Sequence, residues 1–300
     1  MKLYAPEYYR DFTCIADKCR HSCCIGWEID IDSVTYEKYR NLASPYGKTV
    51  KESIDASGDI PCFKLSAGDR CPHLNENGLC RIIINEGKEF LSNICREHPR
   101  FYNDTPRGKE VGLGLSCEEA ARIILSSDGY LNITEIGDIE GDIFSEYCSI
   151  TKRDKLYSII SDRSVPYRNR LDAAYREFGV SPNVLDDGSW RELLDRLEYL
   201  EPSRRELFSS VYSSNTDSPA ESEKALERAL AYFAYRHLSG AEDEGDGRMA
   251  LGFSFFCERL LASLVKSDPQ GDITEYARIL SEELEYSPDN TEAIKLEFLF

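Results

Sequence analysis

Nine of the eleven cysteines lie between Cys14 and Cys117, leaving only Cys148 and Cys257 for the rest of a 300-residue chain. Cysteine thiolates are soft ligands, the kind that zinc and iron–sulfur clusters select. The first group, FTCIADKCRHSCCIGW, spaces Cys14, Cys19, Cys23 and Cys24 as C-x4-C-x3-C-C, and loops this short gather several sulfurs at small closure cost. Cys71 and Cys80 bracket the turn-rich CPHLNENGLC, Cys95 sits in NICREHPRF, Cys117 in LSCEEAAR and Cys62 in IPCF. Adjacent side chains project in different directions, so either one of Cys23 and Cys24 ligates while the other packs, or each faces a separate centre. Zinc and a four-iron cluster each take about four protein ligands. The set therefore allows two centres, or one centre with thiols to spare. Disulfides and buried unpaired thiols are the competing readings, but cysteine density of this kind marks a disulfide scaffold mainly in short secreted chains. Cys148 (YCSI) and Cys257 (FFCERLL) sit in helix-like apolar stretches, where a thiol serves as a small buried hydrophobe.

Other chemistry-bearing motifs are fewer. The one-loop C-x3-C-x2-C arrangement of radical enzymes is missing, as is a C-x-x-C pair at a helix start suited to redox exchange. GLGLS (112–116) is a poor match to a nucleotide-binding glycine loop. Trp27, beside the first cysteine group, is suited to shielding a metal from water. His98 and Arg100 in REHPRF form a candidate site edge next to Cys95, against the plainer reading of a turn fixed by Pro99. Arg236 and His237 are candidate substrate-facing residues, or else cations that offset the dipole at a helix C-terminus. Tyr232 and Tyr235 read as core.

The elements that must position these residues change character along the chain. Up to about residue 125, short apolar runs are broken by Gly, Pro, Asn and Asp, with cysteines at the breaks. WEIDID (27–32) alternates as a short strand would, and SVTYEKYRNL (33–42) reads as a helix capped by Ser33. Residues 78–95 read as a β-turn, a short strand and a helical turn. SCEEAARIILSS (116–127) reads as a helix with Ser116 as N-cap and Glu119 completing a capping box. Beyond residue 150 the pattern is helical. Residues 166–179 open on Pro166 and close on Gly179. Residues 217–240 carry Ser218 as cap, Pro219 in the first turn, Glu221 completing the box, an apolar face of Leu226, Leu230 and Phe233, and Gly240 as stop. Residues 247–267 are apolar round most of their girth and belong at the centre of a bundle, while 272–287 begin with an Asp-to-Glu box. The acidic SGAEDEGDG (239–247) reads as a mobile loop. The expected fold class is mainly α. An irregular cysteine-rich metal-binding region with short strands covers 1–125, and an α-helical bundle covers 126–300, the two packing as one unit or as separate domains.

Charge narrows the partners. Residues 1–125 carry 17 basic and 19 acidic side chains, and the remainder carries 19 basic and 35 acidic ones. An acidic surface repels phosphate backbones and excludes nucleic acid as the expected partner. It suits a lysine-rich protein, or simply solubility through carboxylates on solvated faces such as EELEY (282–286). No apolar run approaches the roughly 20 residues of a membrane-spanning helix, and MKLYAPEYYRDF puts charges and a proline where a signal peptide needs an apolar stretch. A cytoplasmic protein with no membrane partner is expected.

The run from Tyr8 to Tyr39, with FTC, CRHSCC, GWEIDID and TYEKY, resembles the flagellin lysine-N-methylase family. So do CPHLNENGLCRIIINEGKEFLSNICREHPRFY, LGLSCEEAARIIL and, downstream, LERALAYFAYRHL with its Arg-His pair. The first hundred residues also resemble a wider group of zinc- or iron-chelating cysteine-cluster proteins. The family resemblance implies methyl transfer from S-adenosylmethionine to surface lysines of flagellin by an enzyme carrying a four-iron, four-sulfide cluster. It carries over Cys19, Cys23, Cys24, Cys71, Cys80, Cys95 and Cys117 as metal ligands, with Cys14 similarly placed and Cys62 without a counterpart. The alternative is a non-catalytic zinc- or iron-binding protein, a metal store or sensor. Methyl transfer needs a positioned, deprotonated amine, and nothing in a polar displacement requires iron.

Overall fold

The fold, taken from a computed structural model, is described for residues 1–142 and 149–299, so Cys148 lies outside the described residues. The strands are β1 Lys2–Pro6, β2 Ile54–Asp55, β3 Cys62–Phe63, β4 Arg100–Thr105, β5 Gly108–Leu113 and β6 Ile133–Asp138. Thr13–Pro99 forms one compact unit, and Met1–Phe12 with Arg100–Phe300 forms the other. The break expected at residue 125 thus falls at residue 99. The reason is backbone pairing: β1 lies parallel to β5 and antiparallel to β6, and β4 pairs with β5, giving a four-stranded sheet ordered β4-β5-β1-β6.

The smaller unit holds α1 Ser33–Arg40, α2 Gly47–Glu52, α3 Arg81–Asn85 and α4 Asn93–Glu97, with β2 and β3 paired antiparallel. Ile29, Ile31, Tyr39, Val50, Phe63, Leu74 and Ile82 make its core together with Cys71. The 27–32 segment buries Ile29 and Ile31 as its alternation requires. It bonds to the chain at two points, Phe63 N–H to Ile29 O and Ile31 N–H to Pro61 O, which leaves an isolated bridge at Asp30 rather than a strand. Helix α1 is capped one residue earlier than expected: Asp32 Oδ1, not Ser33, accepts from Thr35 N–H at 3.0 Å. The strand expected within 78–95 is the helix α3, with Ile82 turned inward and Ile84 exposed. Its register follows from the loop before it, because Arg81 N–H is bound by His73 O at 2.7 Å.

The larger unit adds α5 Glu118–Ser126, α6 Ile150–Ile160, α7 Tyr167–Phe178, α8 Asp187–Arg196, α9 Ser203–Val211, α10 Glu223–Phe233, α11 Glu244–Ser267, α12 Ile273–Leu280 and α13 Pro288–Leu296. It is mainly α, as expected, and its mixed sheet is the feature not anticipated. Helix α11 is buried along most of its length, Cys257 included. Its first turn lies in the segment expected to be a loop, and Asp243 caps it by accepting from Asp246 N–H at 2.9 Å. Helix α7 ends on Gly179 in the left-handed region, φ 61°, where a residue without Cβ costs least. At α5 the cap position falls on Cys117 rather than Ser116, and Glu119 pairs with Arg122 instead of closing a box. At α10 the expected cap also moves: a short 3-10 turn, Ala220–Ser222, precedes the helix, and Ser218 Oγ accepts from Arg259. Leu226, Leu230 and Phe233 are fully buried.

Candidate functional site

The smaller unit brings four thiols together by three local devices. Cys71 N–H bonds to Cys24 O at 2.9 Å and Gly26 N–H to Asp69 O at 3.0 Å, so segments 24–26 and 69–71 lie side by side. The Cys71–Cys80 loop folds back on Asn75, whose Oδ1 accepts from Asn77 and Leu79 N–H at 2.9 Å each. Cys95 rides on α4, which Asp32 fixes: Oδ1 caps α1 while Oδ2 accepts from Asn93 N–H at 2.8 Å. Burial opposes the Asp32 charge, but those two backbone donors outweigh it and hold the carboxyl below its ordinary range. Tyr39 donates to Phe90 O at 2.6 Å, and its hydroxyl feels the charges of Cys95, Cys80 and Cys71.

His73, inside the loop, is the residue that sequence reasoning passed over. It is 1% exposed, and Ser53 Oγ and Tyr46 Oη each lie 2.9 Å from one ring nitrogen. Ser53 already donates to Val50 O at 2.6 Å, so His73 Nε2 carries the proton and Nδ1 accepts from Tyr46. Burial, then Arg81, keep the imidazole neutral, with a pKa near 4. The only sequence signal was a histidine between two cysteines in a turn-rich loop.

Electrostatics ties the four thiols into one set. Burial pushes the Cys71 thiol up to about 12, and Cys24, Cys95 and Cys80 add to it. Cys95 rises to about 11 through burial, Cys24 and Cys80, and Cys80 rises through burial and Cys24. Every pair among Cys24, Cys71, Cys80 and Cys95 therefore interacts. Cys24 alone goes the other way, to about 7, through hydrogen bonding from Cys23 and Ser22 and the charge of Arg70. A cation among them would reverse these upward shifts, since a bound metal stabilises thiolates outright.

No three Cys, His, Asp or Glu side chains among the described residues stand close enough to hold a single ion. Four sulfurs round one zinc, each at about 2.3 Å, lie roughly 3.8 Å apart. A four-iron cluster sets irons and sulfides between its ligands and holds them wider.

The remaining candidates are elsewhere. Cys14 and Cys23 are exposed and Cys19 is partly so. Cys62 sits by Glu28, which with burial pushes its thiol up to about 11. Cys117 caps α5 in the other unit. No disulfide joins the ten described cysteines. Trp27 donates to Cys23 O at 2.7 Å and meets the His98 ring edge-on at 5.5 Å, and a cis peptide follows His98. Arg100 belongs to the larger unit, where it donates to Tyr9 Oη at 2.8 Å. Tyr232 and Tyr235 are core, about 1% exposed. Arg236 and His237 lie in a π-helical turn, His237 Nε2 2.7 Å from Glu285 Oε1. Glu283 and Glu285, expected on a solvated face, are buried instead; the turn Ser281–Glu285 is also π-helical and swings them inward.

Comparison with known proteins bears on this arrangement. The lysine-N-methylases of Salmonella choleraesuis and Salmonella typhimurium are each 31% identical over 139 residues, 43% of this chain and 34% of theirs. The flagellar biosynthetic protein FliU of Salmonella muenchen is 30% identical over the same length, which spans 80% of that protein. The chain belongs to the lysine-N-methylase and FliU family. Within that family it matches about a third of the length of the two Salmonella lysine-N-methylases. No family model and no solved structure matches it. Among the described residues no helix is long and apolar enough to cross a membrane.

Proposed function

We propose that this protein is a cytoplasmic lysine N-methyltransferase that transfers methyl groups from S-adenosylmethionine to flagellin, and that Cys24, Cys71, Cys80 and Cys95 hold an iron–sulfur cluster. The observation that carries the methylase reading is the likeness to FliU over four-fifths of that protein, together with the likeness to two longer lysine-N-methylases. The cluster reading rests on four mutually interacting thiols, buried or partly buried, in a segment rich in cysteine and poor in histidine. Bound S-adenosylmethionine supplies an electrophilic sulfonium methyl. The chain must hold the acceptor amine neutral and in line with that methyl. Cys24, Cys71, Cys80 and Cys95 would hold the iron as thiolates, and their ligation would tie the 24–26, 71–80 and 93–97 segments together.

Anaerobically prepared protein, given labelled S-adenosylmethionine and flagellin, should label flagellin lysines. Full metal loading without label transfer overturns the methylase reading. Brown protein containing iron and acid-labile sulfide is expected; stoichiometric zinc alone overturns the cluster and leaves a structural metal.

A further inference from the structure

Two helices of the larger unit run on into π-helical turns, Ala234–Leu238 after α10 and Ser281–Glu285 after α12. A π turn shifts the side chains that follow it out of α register, and such turns recur at functional sites. Here they bring His237 Nε2 to 2.7 Å from Glu285 Oε1. Tyr232 donates to Glu285 Oε2 at 3.0 Å, and Arg236 Nε stands 3.6 Å from Oε1. Asn103 holds the first turn by donating to the Tyr235 and Arg236 carbonyls at 3.0 Å each. Phe253 of α11 meets the His237 ring edge-on at 4.6 Å. Over the same Phe253 ring, 5.9 Å from its centre, lies the ammonium of Lys295 on α13.

Lys295 is held differently from the other cations around it. Arg236, Arg259 and Arg278 each meet a carboxylate. Lys295 is partly buried, and among the described residues its amine has the aromatic face and no hydrogen bond or ion pair. Burial lowers its pKa, against the pull of Asp246, Glu285 and Cys257 and with the help of Arg236. Each unit of lowering raises the neutral, nucleophilic fraction about tenfold at neutral pH. Methylation removes N–H donors and keeps the charge, and an aromatic face attracts methylated ammonium groups. Lys295 would therefore give up no hydrogen bond by gaining methyl groups.

We propose that Lys295 is itself a methyl acceptor, modified on its own chain with a sulfonium methyl donor. The inference rests on the methyl-transfer reading above. The ammonium first gives one proton to water; the neutral Nζ lone pair then attacks the methyl carbon, the carbon–sulfur bond breaks with its electrons going to the thioether, and the nitrogen is left as a charged methylammonium.

The test is to incubate the intact, metal-loaded protein with S-adenosylmethionine and flagellin and to map methylated lysines on both by peptide mass spectrometry. More methyl groups at Lys295 than at an exposed lysine such as Lys224 are expected. In Phe253→Leu, checked by its thermal midpoint to be folded, Lys295 methylation should fall. A separate readout needs no methyl donor: Lys295 should react with an amine-acylating reagent at neutral pH faster than Lys224. Flagellin methylated while Lys295 stays bare overturns this inference and leaves the methylase reading standing. Methylation of neither overturns both, and equal methylation of Lys224 and Lys295 overturns the selectivity claimed here.

Discussion

At the scale of single residues, the four interacting thiols separate from the other cysteines by a measurable criterion. Serine at Cys24, Cys71, Cys80 or Cys95 should lower bound iron and destabilise the smaller unit, because an irregular cysteine segment draws much of its folding energy from metal. Serine at Cys62 or at the buried Cys257 should leave iron unchanged, and equal loss across all six variants, measured as iron per chain, would defeat the assignment. His237 yields a second expectation. Burial outweighs its Glu285 partner and drops its pKa to about 4, so the folded protein binds fewer protons than the unfolded chain between pH 6.5 and 4. Its stabilising contribution is whole above pH 6.5 and is lost as pH falls towards 4. The charges facing it are Glu285, Arg236 and Lys295. Between pH 7 and pH 5 wild type should lose about 2 kcal/mol that His237→Gln does not, read from urea midpoints of both proteins. The cysteines and the Arg-His pair could be singled out in the sequence as candidates because their residue types carry the chemistry. Glu285, Phe253 and Lys295 were not: a π turn changes which face a glutamate occupies, and periodicity assumes an unbroken 3.6-residue repeat.

At the scale of elements, α11 shows how a helix interior accommodates a ring. A Cβ on Gly252 would lie 2.0 Å from Phe298 Cγ, and Phe298 packs 5.6 Å from Trp190 between ring centres. Glycine lowers helix propensity by about 1 kcal/mol relative to alanine, so Gly252→Ala would stabilise an isolated helix. In this packing the overlap should dominate and cost about 1–3 kcal/mol, seen as a lower denaturant midpoint; an unchanged or raised midpoint would show that Phe298 gives way. Helices α7, α10 and α11 were readable because their apolar residues recur over many turns, and at α7 Pro166 and Gly179 also mark both ends. The sheet was not. β1 pairs with β5 and β6 across more than a hundred residues, and strands of five or six residues carry no local sign of so distant a neighbour. Residues 78–95 misled for the opposite reason: three consecutive isoleucines favour a strand locally, while Arg81 N–H, committed to His73 O, starts a helix.

At the scale of the whole molecule, the acidic surplus bears on a lysine-bearing partner. Among the described residues beyond 125, the carboxylates of Glu227, Glu258, Glu283 and Glu285 are buried and contribute least to the outward field. Methylation rate at low flagellin should fall as salt rises from 0.01 M to 0.15 M, where the screening length shortens from about 30 Å to about 8 Å. Saturated turnover should change less, and a rate indifferent to salt would remove steering from the account. The unit boundary was misplaced from sequence because the cysteine region is an insertion: Thr13–Pro99 interrupts a unit that begins before it and resumes at Arg100. Arg100 lies over the Phe12 ring at 5.7 Å, so the insertion leaves and re-enters its host at neighbouring points. That connectivity sets an order of events at the ribosome. At roughly 5–20 residues per second, β1 emerges on the order of ten seconds before β6 is made, and stays without its neighbours for that time. The whole thiol-bearing segment is synthesised in the interval. The protein's birth thus contains a period in which the proposed metal could reach every cysteine of the insertion before the sheet of the host unit is complete.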